Sequence, residues 1–185
     1  ATGLADVVSH GAQVVNHSLG VPSSAQIGAA VAKAAARDVV VVAASGNGAT
    51  NALDYPASDS HVIAVGGVNS LGAFWYEDPL TGSNWSETTK VQHFVAPAKN
   101  VISTVYTGKD WNTDAPWSCG DSFPAGFATG YGDCTGTSMA TPHIAGLVGL
   151  MRSVTGLTGA QARSGSGRPR GILFFAGPTG VGKTE

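Results

Sequence analysis

The chain has 185 residues, of which 43% are hydrophobic and only 12% are charged, and its formal net charge is −2. This length and apolar content are enough for one domain with its own core and a short appendage. No apolar run approaches the roughly 20 residues that cross a bilayer, and the C-terminal basic cluster is too small to indicate nucleic acid. The sequence therefore predicts neither a membrane nor a nucleic acid as a partner, and it leaves the oligomeric state open.

A βαβ unit is predicted near the N-terminus. A short strand at Val14-Val15 leads into Asn16-His17-Ser18-Leu19-Gly20, and the alanine-rich segment from Pro22 to Arg37 predicts one crossover helix. The continuous apolar run Val39–Ala44 is typical of a parallel strand that is buried on both faces, and it ends in Ser45-Gly46-Asn47. We therefore predict an α/β fold with a parallel sheet and flanking helices.

Further strands and a helix are predicted downstream. Apolar segments at Val62–Val68, Phe94–Pro97 and Val101–Thr104 predict strands. The octet from Gly136 to His143 then sets a single serine, Ser138, between a glycine turn and an apolar helix. A hydroxyl there meets the positive end of the helix dipole and lies beside backbone N–H groups that could stabilise an oxyanion. The alternative is an N-cap serine, the commoner role of a serine before a helix.

The octet resembles the serine motif of the subtilisin-like serine proteases (subtilases, peptidase S8). Four further segments resemble that family in the same order: Val14–Gly20, Val39–Asn47, Tyr55–Val68 and Phe94–Thr104. The resemblance implies a subtilisin-like fold and endopeptidase activity on a polypeptide substrate, with no cofactor for proteolysis. Subtilases often carry Ca²⁺ as well, but the acidic residues here are scattered and we predict no ligands.

The resemblance also implies the site residues. Ser138 would be the nucleophile that forms an acyl-enzyme, and Asn47 would donate its amide to the oxyanion. An extended peptide would pair with two segments. The first comprises Ser18, Leu19 and Gly20, and the second comprises Ala44, Ser45 and Gly46.

The general base and its acid are not found in the sequence. Subtilases order the triad as Asp, His and Ser along the chain, and neither the Asp motif nor the His motif is present. The nearest candidate, His10-Gly11, lies where the family has a helix end. We interpret His17 and His143 as packing or hydrogen-bonding residues. We therefore expect the acid and the base to lie upstream of Ala1, and we expect this chain alone to be inactive as a protease.

Cys119 and Cys134 flank one polar, glycine-rich loop before Ser138. We predict that they form a disulfide, which would close a ring of 16 residues and contribute roughly 3 kcal/mol. The alternative is a pair of free thiols in a reducing cytosol. The disulfide favours an extracellular or periplasmic location.

The C-terminus carries a second motif. The apolar segment Ile172–Ala176 precedes a complete G-x-x-x-x-G-K-T sequence, in which backbone amides would bind phosphate and the Lys and Thr would reach the β/γ-phosphates and Mg²⁺. The predicted nucleotide-binding residues are Gly177, Gly180, Gly182, Lys183 and Thr184. The alternative is a chance glycine-rich tail.

Arg168–Gly171 together with this loop resembles the start of an AAA+ ATPase of the Hsp100 (Clp) type. The resemblance implies ATP and Mg²⁺ as ligands and a cytoplasmic location. It also implies an alternative function, in which the protease-like domain only binds polypeptide for an ATP-driven machine. Because the helix after the loop and a Walker B acid are missing, we expect weak nucleotide binding and no hydrolysis.

The change in charge along the chain supports a domain boundary. Through Met151 there are five basic residues against eleven acidic ones, and from Arg152 onward five basic residues against one. The sequence Ser164-Gly165-Ser166-Gly167 is typical of a flexible linker. We predict a subtilase domain at 1–163, a linker at 164–170 and an incomplete P-loop unit at 171–185, and Leu157–Arg163 resembles the short helix that follows the serine helix in subtilases.

Overall fold

The computed structural model describes residues 1–87, 92–104 and 131–164. The elements in chain order are α1 (Thr2–Ser9), β1 (Val14–His17), α2 (Ala25–Ala36), β2 (Val40–Ala44), β3 (Val62–Val68), β4 (Tyr76–Asp78), β5 (Thr81–Gly82), β6 (Gln92–Pro97), β7 (Val101–Thr104), β8 (Tyr131–Cys134), α3 (Thr137–Thr155) and α4 (Gly159–Ser164).

The main sheet has four parallel strands in the order β1-β2-β3-β6. Its two faces are covered by different helices, and alternate residues of β2 serve the two faces. Val40 and Val42 pack with the Ile144 side of α3, whereas Val41 and Ala43 pack with α1 and α2 around Val31. The predicted α/β fold with a parallel sheet and flanking helices is thereby confirmed.

Helix α2 begins three residues later than the sequence predicts. Ser24 adopts an extended conformation (φ −147°, ψ 150°), and its hydroxyl accepts a hydrogen bond from the Ile27 amide at 3.3 Å. A serine in this position caps the helix and supplies a partner for one of the unpaired terminal amides. The segment from Pro22 is therefore the approach to the helix rather than its first turn.

Asp38, two residues before β2, holds the C-terminal half of α3 and the start of α4. Arg152 donates through Nη2 to Asp38 Oδ2 at 2.8 Å and through Nη1 to the Asp38 carbonyl at 2.7 Å, and the Gly159 amide donates to Asp38 Oδ1 at 2.6 Å. Burial by itself would raise the pKa of Asp38, but the hydrogen bonds from Arg152 and Gly159 and the arginine charge lower it overall. The carboxylate is therefore favoured in its ionised form.

Two elements differ from the sequence prediction. Strand β7 does not join the main sheet but pairs antiparallel with β8, whose polar sequence gave no strand signal. Helix α4 begins at Gly159 rather than Leu157 and ends at Ser164, the first residue of the predicted linker. The rest of that linker and residues 171–185 lie outside the described residues, so the domain boundaries stay a prediction. Among the helices that are described, none is long and apolar enough to cross a bilayer.

Candidate active site

The candidate site lies where the carboxyl ends of β1 and β2 meet the N-terminus of α3. Ser18 follows β1 directly, Asn47 lies three residues beyond β2, and Ser138 is the second residue of α3. Ligands of open α/β sheets bind at this edge, because neighbouring parallel strands deliver their loops there together. The structure thus brings together three of the residues that the sequence predicts for the site.

Ser138 is not the N-cap of its helix. The cap is Gly136, with φ 150° and ψ 158° and no side-chain cap bond. The Ser138 hydroxyl instead donates to the Ser18 carbonyl at 3.1 Å. Because Ser138 lies in the first turn, its oxygen meets the positive end of the helix dipole, and its backbone N–H belongs to the terminal group that lacks an intrahelical acceptor.

Asn47 is held by Thr137, the residue before the candidate nucleophile. Its Oδ1 accepts from the Thr137 amide at 2.9 Å and from the Thr137 hydroxyl at 2.8 Å. Thr137 is fully buried, and its hydroxyl oxygen also accepts from the Gly46 amide at 3.2 Å. With Oδ1 occupied, Nδ2 is the end of the amide that remains available, and it donates to none of the described residues.

Gly136 is required at its position by both space and backbone conformation. A Cβ there would lie 3.2 Å from Asn47 Nδ2, closer than most side-chain contacts, and the φ of 150° is one that other residues rarely adopt. Gly136 therefore lets the turn before Ser138 approach the Asn47 amide.

Ser18 and Ser138 form a reciprocal pair that depends on Pro142. In an α-helix the Ser138 carbonyl would accept from the amide of residue 142, but Pro142 has no N–H. The Ser18 hydroxyl donates to this carbonyl at 2.8 Å, while the Ser138 hydroxyl donates to the Ser18 carbonyl. The sequence analysis missed this role of the Ser18 side chain. The signal that could have revealed it is Pro142, four residues after Ser138.

None of the described histidine side chains forms a hydrogen bond with Ser138. The rings of His10, His61 and His143 bond to Asp6, Asp59 and Met139 respectively. His17 has a buried Nδ1 with no hydrogen-bond partner, and burial, followed by the charge of the chain's N-terminus, lowers its pKa. His93 lies within β6 rather than before it, and its side chain is outside the described residues.

The two predicted peptide-binding segments differ in what their backbones offer. In the second segment, Ser45 bonds to Val65 and Asp54, and the Gly46 carbonyl accepts from Asn84. In the first segment, the backbone groups of Gly20 make no hydrogen bond to the described residues, and Leu19 is 47% exposed. The Gly20 backbone is thus the part of these two segments whose N–H and carbonyl have no hydrogen bond to the described residues, and the pairing of a peptide with both segments stays a prediction.

A cavity of about 580 Å³ adjoins the candidate oxyanion donor. Its lining includes Asn47, Asp54, Trp75, Glu77, Lys99 and Thr135. The sequence analysis did not identify Asp54 as part of the site, although this residue immediately precedes the Tyr55-Pro56 segment. The cavity thus extends from Asn47 to an acidic side chain, that of Asp54.

The remaining predictions concern ligands and the disulfide. Cys134 is disulfide-bonded and buried, and Cys119 lies outside the described residues, so their pairing stays a prediction. Within the described ranges, no group of three or more His, Cys, Asp or Glu side chains could hold a metal ion. The predicted phosphate loop, Gly177 to Thr184, also falls outside the described residues.

Comparison with known proteins finds similarity to one family. The model of the subtilase family (peptidase S8) matches residues 1–164. M-protease from Shouchella clausii (strain KSM-K16) is 35% identical over 153 residues, which cover 82% of this chain and 33% of that protein. Subtilisin BL from Lederbergia lenta is also 35% identical, and there the match covers 82% of this chain and 46% of that protein.

Solved structures give the same result. The prenylagaramide maturation protease PagA superposes with a TM-score of 0.63 at 25% identity, over 89% of this chain and 50% of that one. The S218A mutant of the protease domain of PatA superposes with a TM-score of 0.63 at 27% identity, over 88% of this chain and 50% of that one. The chain thus spans between a third and half of the length of these relatives.

Proposed function

We propose, because this chain belongs to the subtilase family, that it forms the nucleophile-bearing part of a serine endopeptidase. Ser138 attacks the carbonyl carbon of a peptide bond, and Asn47 stabilises the oxyanion that results. The observation that carries the proposal is the Asn47 amide, whose Oδ1 is occupied by the residue next to Ser138 at 2.9 and 2.8 Å. An amide held in this way has its N–H₂ group available before the reaction begins, which is what electrostatic stabilisation of a transition state requires.

The chemistry follows the usual course of acyl transfer. The Ser138 Oγ forms a bond to the carbonyl carbon while its proton passes to a general base, and negative charge develops on the carbonyl oxygen. Asn47 Nδ2 and the Ser138 backbone N–H donate to that oxygen. Collapse of the intermediate breaks the C–N bond, the base returns the proton to the leaving amine, and water later releases the acyl group.

The general base comes from outside these 185 residues in our proposal. In the described part of the chain the Ser138 hydroxyl donates to a backbone carbonyl, and that carbonyl cannot accept its proton during catalysis. An added imidazole would have to replace this bond. The chain alone is therefore expected to be inactive.

A fluorophosphonate probe tests the proposal. The full-length polypeptide that carries this chain is expected to label at Ser138, whereas the 185-residue chain and a Ser138→Ala variant of the full-length protein stay unlabelled. Asn47→Ala should retain the fold but lower kcat by about 10²–10³. This magnitude is taken over from the corresponding asparagine of a related subtilisin.

Two results would contradict the proposal. If the short chain labels at Ser138, a base lies within it. If the full-length protein folds but neither labels nor cleaves peptides, Ser138 is not a nucleophile.

We also propose an extracellular or periplasmic location. It is supported by the disulfide at Cys134, since disulfides persist in oxidising compartments. The proposed partner is a polypeptide substrate. Binding of ATP and Mg²⁺ at Gly177–Thr184 stays a prediction from the sequence alone, as does any Ca²⁺ site, and the match to the family ends at residue 164, before the phosphate loop.

A further inference from the structure

We propose that the ion pair between Glu77 and Lys99 positions Asn47 relative to Ser138, so that Glu77 and Lys99 are positioning residues for the reaction. Glu77 lies in β4 and Lys99 in the turn between β6 and β7, and their side chains meet at 3.1 Å beside the cavity that both of them line. The inference rests on the proposed function, because it concerns the placement of the oxyanion donor relative to the nucleophile.

The hairpin β4–β5 is attached to the loop that carries Asn47. The Gly82 amide donates to the Asn47 carbonyl at 3.1 Å, and the Gly82 carbonyl accepts from the Ala49 amide at 3.0 Å. Two residues further along, the Asn84 amide donates to the Gly46 carbonyl at 2.9 Å. Because these bonds begin before Asn47 and end after it, a displacement of the hairpin displaces the backbone of the oxyanion donor.

The base of the hairpin is packed tightly enough to transmit such a displacement. Tyr76 in β4 pairs with Gly82 in β5, and a Cβ on Gly82 would lie 2.9 Å from Tyr76 Cα and 2.9 Å from the Trp75 carbonyl oxygen. Trp75 is 3% exposed, and its carbonyl accepts from the Ser83 amide at 2.8 Å. The position of β4, which carries Glu77, is thus coupled to that of Gly82.

The turn that carries Lys99 is attached to the start of α3. The Ala98 carbonyl accepts from the amide of Gly136, the N-cap of that helix, at 2.8 Å. On the other side of Lys99, the Asn100 amide donates to Thr135 Oγ1 at 3.0 Å. The residues that flank Lys99 therefore hold the two residues that lead into the nucleophile's helix.

The ion pair is a second link between the two halves of the site. The first is the pair of bonds from Thr137 to Asn47 Oδ1, at 2.9 and 2.8 Å. Those bonds hold only Oδ1, so the direction of Nδ2 also depends on where the backbone of Asn47 lies. Glu77 and Lys99 fix that backbone relative to α3. Stabilisation of an oxyanion requires a donor that is held in place before the reaction.

The indole of Trp75 orients the carboxylate of this pair. Trp75 Nε1 donates to Glu77 Oε1 at 2.9 Å, the same oxygen that Lys99 Nζ approaches. The bond from Trp75, followed by the one from Lys99, lowers the pKa of Glu77, so the carboxylate is ionised at neutral pH. The Lys99 and Glu77 side chains are 39% and 36% exposed, and the pair is therefore open to screening by salt.

The test measures peptide cleavage by the full-length protein after neutral substitutions. Glu77→Gln keeps an acceptor for Trp75 Nε1, and Lys99→Met keeps an unbranched side chain. Each should lower kcat by about twofold to fivefold at unchanged KM, because an exposed ion pair changes an equilibrium by at most about fivefold. The double variant should lose no more than either single one, since both remove the same pair. Lys99→Arg, which keeps the charge, should retain most of kcat.

Salt and two control variants separate positioning from a merely structural role. Raising salt to about 1 M should lower kcat of the unmodified protein towards that of Lys99→Met, which should itself respond little. Asp78→Asn removes a charge from the same strand and keeps an acceptor for the Leu80 amide, and Lys33→Met removes a lysine from α2. Both controls should leave kcat unchanged. Additive losses in the double variant, or a lower Tm with unchanged kcat, would overturn the inference.

An NMR measurement separates this inference from the proposed function. In the full-length protein labelled with ¹⁵N-asparagine, the side-chain N–H₂ signal of Asn47 is identified by its loss in Asn47→Ala. This signal should shift or broaden in Glu77→Gln and Lys99→Met but not in Asp78→Asn. That result supports the inference even if the protein fails to label with a fluorophosphonate, which refutes only the proposed function. Normal labelling with an unchanged Asn47 signal in both variants refutes the inference and leaves the proposed function intact.

Discussion

Replacing Ser18 with alanine tests the reciprocal serine pair most directly. The substitution removes the donor to the Ser138 carbonyl, whose helical partner would be the amide that Pro142 lacks. A hydrogen bond of this kind contributes about 0.5–1.5 kcal/mol, and a carbonyl left without a donor costs about 1–3 kcal/mol when buried. Because Ser138 is half-buried and water can reach it in part, we expect the free energy of unfolding to fall by about 1.5 kcal/mol and Tm to fall by roughly 3–6 °C.

Combining Ser18→Ala with Pro142→Ala tests whether the Ser18 hydroxyl replaces the helical N–H that Pro142 lacks. Alanine restores an N–H four residues after Ser138, so the carbonyl gains a helical partner. In that background Ser18→Ala should cost only about 0.5 kcal/mol, which leaves a coupling energy of about 1 kcal/mol between the two sites. The bonds between Ser18 and Asn16 are lost equally in both backgrounds and cancel in the cycle.

Equilibrium urea unfolding of the four proteins, followed by the fluorescence of the four tryptophans, gives the coupling energy. Thr155→Ala is the matched control, because Thr155 also donates its hydroxyl to a carbonyl of the same helix, that of Met151, at 2.7 Å. Its effect should add to that of Pro142→Ala without coupling. Equal costs of Ser18→Ala in both backgrounds would refute our account of the pair.

Two further predictions concern glycine and pH. Gly136→Ala should reduce fluorophosphonate labelling of the full-length protein, because its Cβ would crowd Asn47 Nδ2 at 3.2 Å. Gly146→Ala, which has open space around it in the exposed middle of α3, should instead stabilise the chain by about 0.5–1 kcal/mol. Undiminished labelling of Gly136→Ala together with destabilisation by Gly146→Ala would contradict the packing described. Asp38→Asn should destabilise the chain at neutral pH. Because folding lowers the pKa of Asp38, its stabilising contribution is full above the unfolded pKa of about 3.9 and is lost as pH falls through the folded value. Urea unfolding from pH 7 to pH 3 should therefore show the variant and the unmodified chain converging below about pH 4, and a constant difference would exclude a contribution from ionisation.

Much of the fold could be predicted because its signals are local. The run Val39–Ala44 is apolar throughout, as a strand covered on both faces must be, and the observed strand Val40–Ala44 is buried at every position. Strand β8 gave no such signal, since Tyr131-Gly132-Asp133-Cys134 has no apolar run or alternation, and it is recognised as a strand by its antiparallel pairing with the distant β7.

The candidate site was predictable in part for the same reason. Ser138 and Asn47 were identified from contiguous motifs. The bonds that position them join residues 90 and 120 positions apart, such as Thr137 to Asn47 and Ser18 to Ser138, and such distant pairs leave no periodic pattern. Asp54 was not identified as part of the cavity lining because its carboxylate lies beside two distant glycines, Gly20 and Gly46, and no local motif records such a contact.

Helix α3 is attached to the loops at both ends of strand β2. Thr137 bonds to Asn47 after the strand, and Arg152 bonds to Asp38 before it. The position of Ser138 is therefore fixed relative to β2, the strand that is buried at every position. The outward side of the helix, where Leu150 is 61% and Val154 is 74% exposed, bears none of this constraint. Sequence change can accumulate on that side without displacing the hydroxyl at the other end.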